Sequence, residues 1–243
     1  MGTAITSETD GRESFEELTL LVHRLHETWV AYMQLFNHSA DRIAEMNRRA
    51  GFAFALIKSS MEDSVLLGIA KAVDDDCRTL SLRKAIAELP GAPTGAAKKR
   101  RKEFADERSR LLERYEDLRQ LCEPILAHRH KRIAHDERSV VMGDEVLPRV
   151  TIALMQEAMN GIAQLCDQIS IARTGGAGIA FIGAEMDVEP ACRSLCHVLR
   201  AGNHFLEQKH DEYHQLLHRA ARGEIVENLD DKLNEWRKWV TWT

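Results

Sequence analysis

Arg129, His130, Lys131, Arg132 and His135 lie within seven consecutive residues, and that set of side chains can grip a phosphodiester and move its protons. Arginine is permanently charged and forks onto phosphate oxygens. Histidine changes protonation near neutral pH and serves as general acid or base. Such chemistry needs no metal. Of the eleven histidines, His135 alone has an arginine five to seven residues before it, so the spacing is not a by-product of composition. The same run also reads as the basic face of an amphipathic helix, with Ile133 and Ala134 turned inward and His135 near a helix end, where a cation is favoured. At about 100° per residue, His128, Arg132 and His135 share one stripe, whereas Arg129 lies about 120° from His135. One regular helix therefore does not aim Arg129 and His135 at a single phosphate. A helix distorted near His135, or two chains that share a site, reconciles them, and His128, Lys131 and Arg132 stand as further substrate contacts.

Other clusters carry weaker chemistry. His210, His214 and His218 recur every four residues with Glu207 and Asp211 nearby, a spacing open to a transition metal. There is no HExxH, and the surrounding Gln, Lys, Asp and Glu read as a solvated helix face, so no metal or cofactor is expected. The five cysteines, Cys77, Cys122, Cys166, Cys192 and Cys196, form no CxxC pair. They read as reduced thiols, which argues against zinc knuckles and for a reducing compartment. Lys98 to Lys102 are five adjacent cations, read as a solvated face, with a phosphate-contacting patch as the alternative. Arg173-Thr174-Gly175-Gly176-Ala177-Gly178 has no Gly-Lys-Ser/Thr ending and no strand before it, so it reads as a linker and not a nucleotide loop.

The elements that must position these groups are helices. With 44% hydrophobic and 29% charged residues and only five prolines, the chain has the composition of a soluble, mainly helical protein, and its 243 residues suffice for a full core. The formal charge of −5 argues against uniform coating of nucleic acid while permitting a local basic site. The first residues lack a signal-peptide pattern and no apolar run spans a bilayer, so a cytoplasmic protein with no membrane partner is expected. Ser14 and Glu17 resemble a capping box ahead of a stripe from Phe15 to Phe36. A second helix is expected from Ala40 to Val73, kinked at Gly51, with Asp74, Asp75 and Asp76 in the turn beyond it, because acids sit badly at a helix C-terminus. Ser81 or Thr79 is expected to cap a short helix to Leu89, and a charged helix runs from the lysine-arginine cluster to Cys122. Pro124 opens the helix that carries the arginine-histidine run. Residues 136–148 read as irregular, with short extended pieces at 139–142. Thr151 caps a helix to Ile171 that buries Ile152, Met155, Met159, Ile162, Leu165 and Ile169. Trp236, Trp239 and Trp242 read as an aromatic packing edge.

The run from Arg129 to His135 resembles the signature of the HEPN superfamily (higher eukaryotes and prokaryotes nucleotide-binding), in which an arginine and a polar residue precede a histidine by four to six residues. Here these are Arg129, His130 and His135. Residues 29–36 are similar to the first helix of its abortive-infection branch, and residues 54–57 and 61–74 to the second. The resemblance covers roughly residues 14–172. It implies an all-α, HEPN-like helical bundle at 1–172; the glycine-rich boundary beyond it reads as a linker at 173–188, and the remainder as a C-terminal helical appendage at 189–243. It also implies a metal-independent endoribonuclease, a toxin or antiphage-defence effector that dimerises through the motif helix and acts on RNA at a composite cleft. In that picture His135 moves the proton, Arg129 neutralises the phosphoryl oxygens, and His130 orients the scissile group. Asp63, or Glu62 beside it, supports the arginine or histidine. The alternative is a HEPN-like dimer that binds RNA or assembles without catalysis. A nucleotidyltransferase antitoxin that modifies a tyrosine two residues after the motif histidine would meet Glu137 here.

Overall fold

The computed structural model describes residues 4–76, 78–93, 95–134, 142, 146–176, 178, 183–225, 228, 230–232 and 234, with side chains for all of these except 4–11, 49, 132–134 and 183–186. Phe15, Leu18, Val22, Leu25, Trp29, Tyr32 and Leu35 recur at three and four residues and are all buried. That period belongs to a helix facing a core, and the first helix, α1, spans Ala4–Phe36. It starts ten residues before Ser14, so the expected capping box lies inside the helix. No proline interrupts 4–13, and nothing there obliges the helix to begin at Ser14.

Ser39 starts α2 (Ala40–Ala72): its extended backbone breaks with the helix and its side chain accepts the Arg42 amide. The three residues between the helices fold α2 back along α1. The bend in α2 falls at Ala50 (φ −130°, ψ 29°), one residue before the expected Gly51. Further along, Gly68 lets the two helices meet closely, since a Cβ there would lie 2.6 Å from Leu25 Cδ1. Ser81 caps α3 (Leu82–Ala87), while the Thr79 hydroxyl donates to the Asp76 carbonyl instead.

The charged helix α4 (Lys98–Leu121) buries only Leu111, Tyr115 and Leu118 along one narrow stripe. Pro124 then sits in the first turn of α5 (Glu123–His128), where its missing N–H costs no intrahelical bond. The backbone passes without a break into a π-helical turn, Arg129–Ala134. Thr151 caps α6 (Ile152–Thr174), whose expected buried stripe is observed, with Ile152 at its margin. Gly175 ends α6 in the left-handed region (φ 65°). Gly161 on α6 is a second close approach, 2.6 Å from Leu118 Cδ1 for a Cβ placed there.

Helix α7 (Gly183–Ala221) lies along α1 and α2. Both ends of the expected 173–188 linker are thus helical, Arg173 and Thr174 closing α6 and residues from Gly183 opening α7. Asn203, buried on α7, donates to the Glu45 carbonyl and carboxylate at 3.0 and 2.9 Å, and Glu207 pairs with Arg48 at 2.9 Å. No strand occurs among the described residues. One core, drawn from α1 to α6, sits between the α1/α2 pair and the α4/α6 pair. No helix among the described residues is long and apolar enough to cross a membrane.

Candidate functional site

The π-helical turn places the arginine of the motif at the C-terminal end of α2. A turn closed by i→i+5 bonds holds about one more residue than an α-turn, is rare, and is frequently found at functional sites. It begins at Arg129, so the motif departs from a regular α-helix over Arg129–Ala134. His135 lies outside the described residues, as do residues 139–141, Trp236, Trp239 and Trp242, and the side chain of Arg132.

Arg129 is three-quarters buried and its Nη1 lies 3.1 Å from Asp74 Oδ2, with 27% and 14% of the two side chains exposed. The other oxygen of Asp74 accepts the Asp76 amide at 3.1 Å, so the carboxylate is fixed from both sides. A guanidinium has five N–H groups in a rigid fork, and one contact with Asp74 orients it while leaving donors for an anion. The carboxylate that holds Arg129 within this chain is therefore Asp74, not Glu62. Glu62 accepts the Tyr32 hydroxyl at 2.7 Å and the Lys58 ammonium at 3.0 Å. Burial first, and then the Glu62 carboxylate, push the Tyr32 phenol above its ordinary range, which keeps it a donor. Asp63 is half-buried one residue further along α2.

The remaining acids of the triple extend this anchor. Asp75 receives Arg83 at 2.7 Å, Arg119 at 2.6 Å and the Tyr115 hydroxyl at 2.9 Å. Burial would raise the Asp75 carboxyl, but bonds from Arg83 and Tyr115 and the charge of Arg119 hold it below the usual carboxylate range. Asp76 pairs with Arg78 at 2.7 Å. The turn expected from helix electrostatics is thus also a junction that ties α2, α3, α4 and the motif together. The three acids lie in the turn expected for them, and Asp74 was not among the residues expected to support Arg129. The missed signal was composition: three consecutive acids at one helix exit need cations from elsewhere, and Arg83, Arg119 and Arg129 supply them.

His128 has a defined role too. Its Nε2 lies 2.8 Å from the Pro148 carbonyl, and a carbonyl only accepts, so Nε2 carries the proton and ties the segment before α6 to the motif helix. Its Nδ1 is buried without a hydrogen-bond partner. His130 is exposed, and Lys131 is half-buried. The cationic run Lys98–Lys102 opens α4, roughly 35 Å from that helix's other end, next to which the motif begins; within one chain it does not face Arg129. On α7, the Nε2 atoms of His210 and His214 approach to 2.9 Å. Among the described residues no group of three or more His, Cys, Asp or Glu is arranged to hold a metal.

Among the described residues the bundle is all-α, and Arg129 ties the arginine-histidine segment to Asp74 just beyond the second helix. Residues 12–179 match the AbiU2 family (HEPN_AbiU2), and the chain belongs to it. No curated protein and no solved structure matches the chain. The family match ends at residue 179, before α7 begins at Gly183.

Proposed function

We propose that this protein is a metal-independent endoribonuclease of abortive-infection type, acting as a homodimer on RNA. The observation that carries the reading is Arg129: a guanidinium held by Asp74 at a π-helical turn, partly exposed, with donors to spare. In this mechanism His135 takes the proton from a ribose 2′-OH, or donates one to the departing 5′-oxygen, with the partner's histidine in the complementary role. Arg129 stabilises the charge that builds on the phosphoryl oxygens, and His130 orients the scissile group. The attack closes a 2′,3′-cyclic phosphate and releases a 5′-hydroxyl. Membership of the AbiU2 family supports a role as toxin or antiphage-defence effector, with an antitoxin or other defence protein as partner.

The test is cleavage of defined RNAs by purified protein with analysis of the product ends. His135→Ala is expected to lower the rate by about 10² to 10⁴, the usual contribution of a positioned proton-transfer group, and Arg129→Ala to do likewise. Undiminished cleavage by the double variant would refute the assignment. Chelator is expected to have no effect.

One observation favours a second reading, a HEPN dimer that binds RNA or assembles without cleaving it. Arg129 and His128 both bond inside the fold, as residues kept for architecture would. Retained RNA binding without product, together with destabilisation by Arg129→Ala, selects that reading.

A further inference from the structure

Helix α4 is longer than its packing requires. Its buried residues are Leu111, Tyr115 and Leu118. None from Lys98 to Arg110 is buried, so roughly 20 Å of helix, at about 1.5 Å per residue, contributes no core residue. Lys98, Lys99, Arg100, Arg101 and Lys102 open this stretch, and all five are exposed. Lysine and arginine favour helices, which accounts for the conformation but not for the single sign of the charges. Their placement is unfavourable twice over. Adjacent like charges repel, and the first turn is the positive end of the helix dipole, where acids are favoured. That turn has no acid, and Ala97 gives it no side-chain cap.

None of the five forms an ion pair among the described residues. Arg101 donates to the neutral Ala96 carbonyl at 3.0 Å. Lys102 and Asp106 stand four apart, a spacing that suits an ion pair, and do not form one. Well-exposed arginines elsewhere meet carboxylates: Arg12 meets Glu16 at 3.0 Å, Arg193 meets Glu189 at 2.5 Å and Arg222 meets Glu224 at 2.8 Å. The chain has 38 acids to 33 lysines and arginines, so acids are not scarce, and without these five cations its formal charge of −5 would be twice as negative. A cluster left uncompensated within the fold is open to a polyanion from outside it.

Successive residues point about 100° apart, so the five heads ring the helix and do not converge on one small anion. They suit a polymer with charges at regular intervals, which the phosphate backbone of RNA is. An anionic membrane fits less well, because insertion needs large apolar residues beside the basic ones, and Ala96 to Glu103 contain none. With RNA taken as the ligand of the motif, as in the ribonuclease reading, we propose that Lys98–Lys102 form a second, sequence-independent RNA contact that holds phosphates remote from the scissile bond. The run lies roughly 35 Å from the motif end of α4, which a stacked strand at about 3.4 Å per nucleotide covers in roughly ten nucleotides. RNA of that length or more is held at both places.

Binding is measured by fluorescence anisotropy of labelled single-stranded RNA of about 30 nucleotides, long enough to reach both places, with the His135→Ala protein so that no cleavage intervenes. Lys98→Gln/Lys99→Gln/Arg100→Gln on that background is expected to weaken binding about tenfold or more at low salt. It is also expected to reduce the slope of log affinity against log salt by about 2, at about 0.7 per lost phosphate contact. Glutamine is a good helix former, and circular dichroism checks that the helix content is kept. Lys98→Arg/Lys99→Arg is expected to bind as tightly as before, because charge and not fork geometry carries the contact. Arg12→Gln/Arg193→Gln/Arg222→Gln removes the same charge elsewhere and is expected to leave the slope unchanged. An unchanged slope in the run variant, an equal loss in the control, or saturable binding to phosphatidylglycerol vesicles with none to RNA overturns the proposal. Cleavage is a separate readout: RNA held through the run without product would keep this contact and refute the ribonuclease reading, whereas cleavage of long RNA with KM untouched by the run variant would do the reverse.

Discussion

Arg129 is the residue on which chemistry and architecture meet, because one of its N–H groups is spent on Asp74 while about a quarter of the side chain stays exposed. Under the ribonuclease reading Asp74 is a positioning residue: it touches no substrate, but it sets the angle of the group that does. Asp74→Ala is therefore expected to cost about tenfold or more in cleavage rate, since a loss of order 1 Å in placement is felt strongly in catalysis. The combination Asp74→Ala/Arg129→Ala should then be no slower than Arg129→Ala alone, because residues that act through one another are not additive. Additive losses in single-turnover rates would give Asp74 a separate role. The buried thiols show a simpler case of environment deciding reactivity. Burial pushes both Cys122 and Cys166 up to about 12, so alkylation of the native protein is expected to modify half-exposed Cys196 well before either, with mass spectrometry of the labelled peptides as the measurement.

At the scale of elements, most of the helices were legible because their signals are local. Ser39, Ser81 and Thr151 cap the helices that follow, Gly175 ends α6, and Pro124 sits in the first turn of α5. Periodicity likewise identified the faces that bury Leu18, Val22 and Leu25, or Met155, Met159 and Ile162. What resisted reading was long-range pairing. A carboxylate's partner depends on where distant elements pack, and the second half of α2 with the turn beyond it offered five acids, Glu62, Asp63 and Asp74 to Asp76, to one arginine. The π-turn was expected only as some distortion, because i→i+5 bonding leaves no mark in side-chain spacing. The element most dependent on such pairing is the turn around Asp75, and its pH response follows from the sign of the shift. The carboxyl is held low in the folded state by Arg83, Tyr115 and Arg119 against the opposing effect of burial, so its contribution is complete above the unfolded pKa near 4 and is lost as pH falls through the lower folded value. Asp75→Asn is expected to lower Tm at pH 7 by roughly 2–4 °C, for about 1 kcal/mol after discounting its partial exposure. It should also flatten the fall of Tm below pH 4. An unchanged acid limb of the Tm profile would assign that limb to other carboxylates.

The whole molecule raises the question of which chains build one active site. On an ideal helix Arg129 stands about 120° from His135, and the wider turn at 129–134 advances each residue by less than an α-turn does, so local winding alone does not bring the two onto one face. Under the ribonuclease reading a two-fold dimer through the motif helix would supply what one helix does not, because an isologous interface presents the same patch from both subunits. If each site takes its arginine from one chain and its histidine from the other, mixing Arg129→Ala with His135→Ala protein has a quantitative outcome. In a mixed dimer one site lacks both groups, whereas the other retains the wild-type arginine of one subunit and the wild-type histidine of its partner. Random exchange makes about half the dimers mixed, so about a quarter of all sites, and of wild-type activity, should return. If both groups come from the same chain, neither subunit of the mixed dimer carries a complete pair and activity stays at the background of the single variants. Exchange is verified independently by co-purification of differently tagged subunits. A demonstrably monomeric protein that cleaves RNA at the full rate would remove the shared site altogether and return the chemistry to the single-chain stripe of His128, Arg132 and His135.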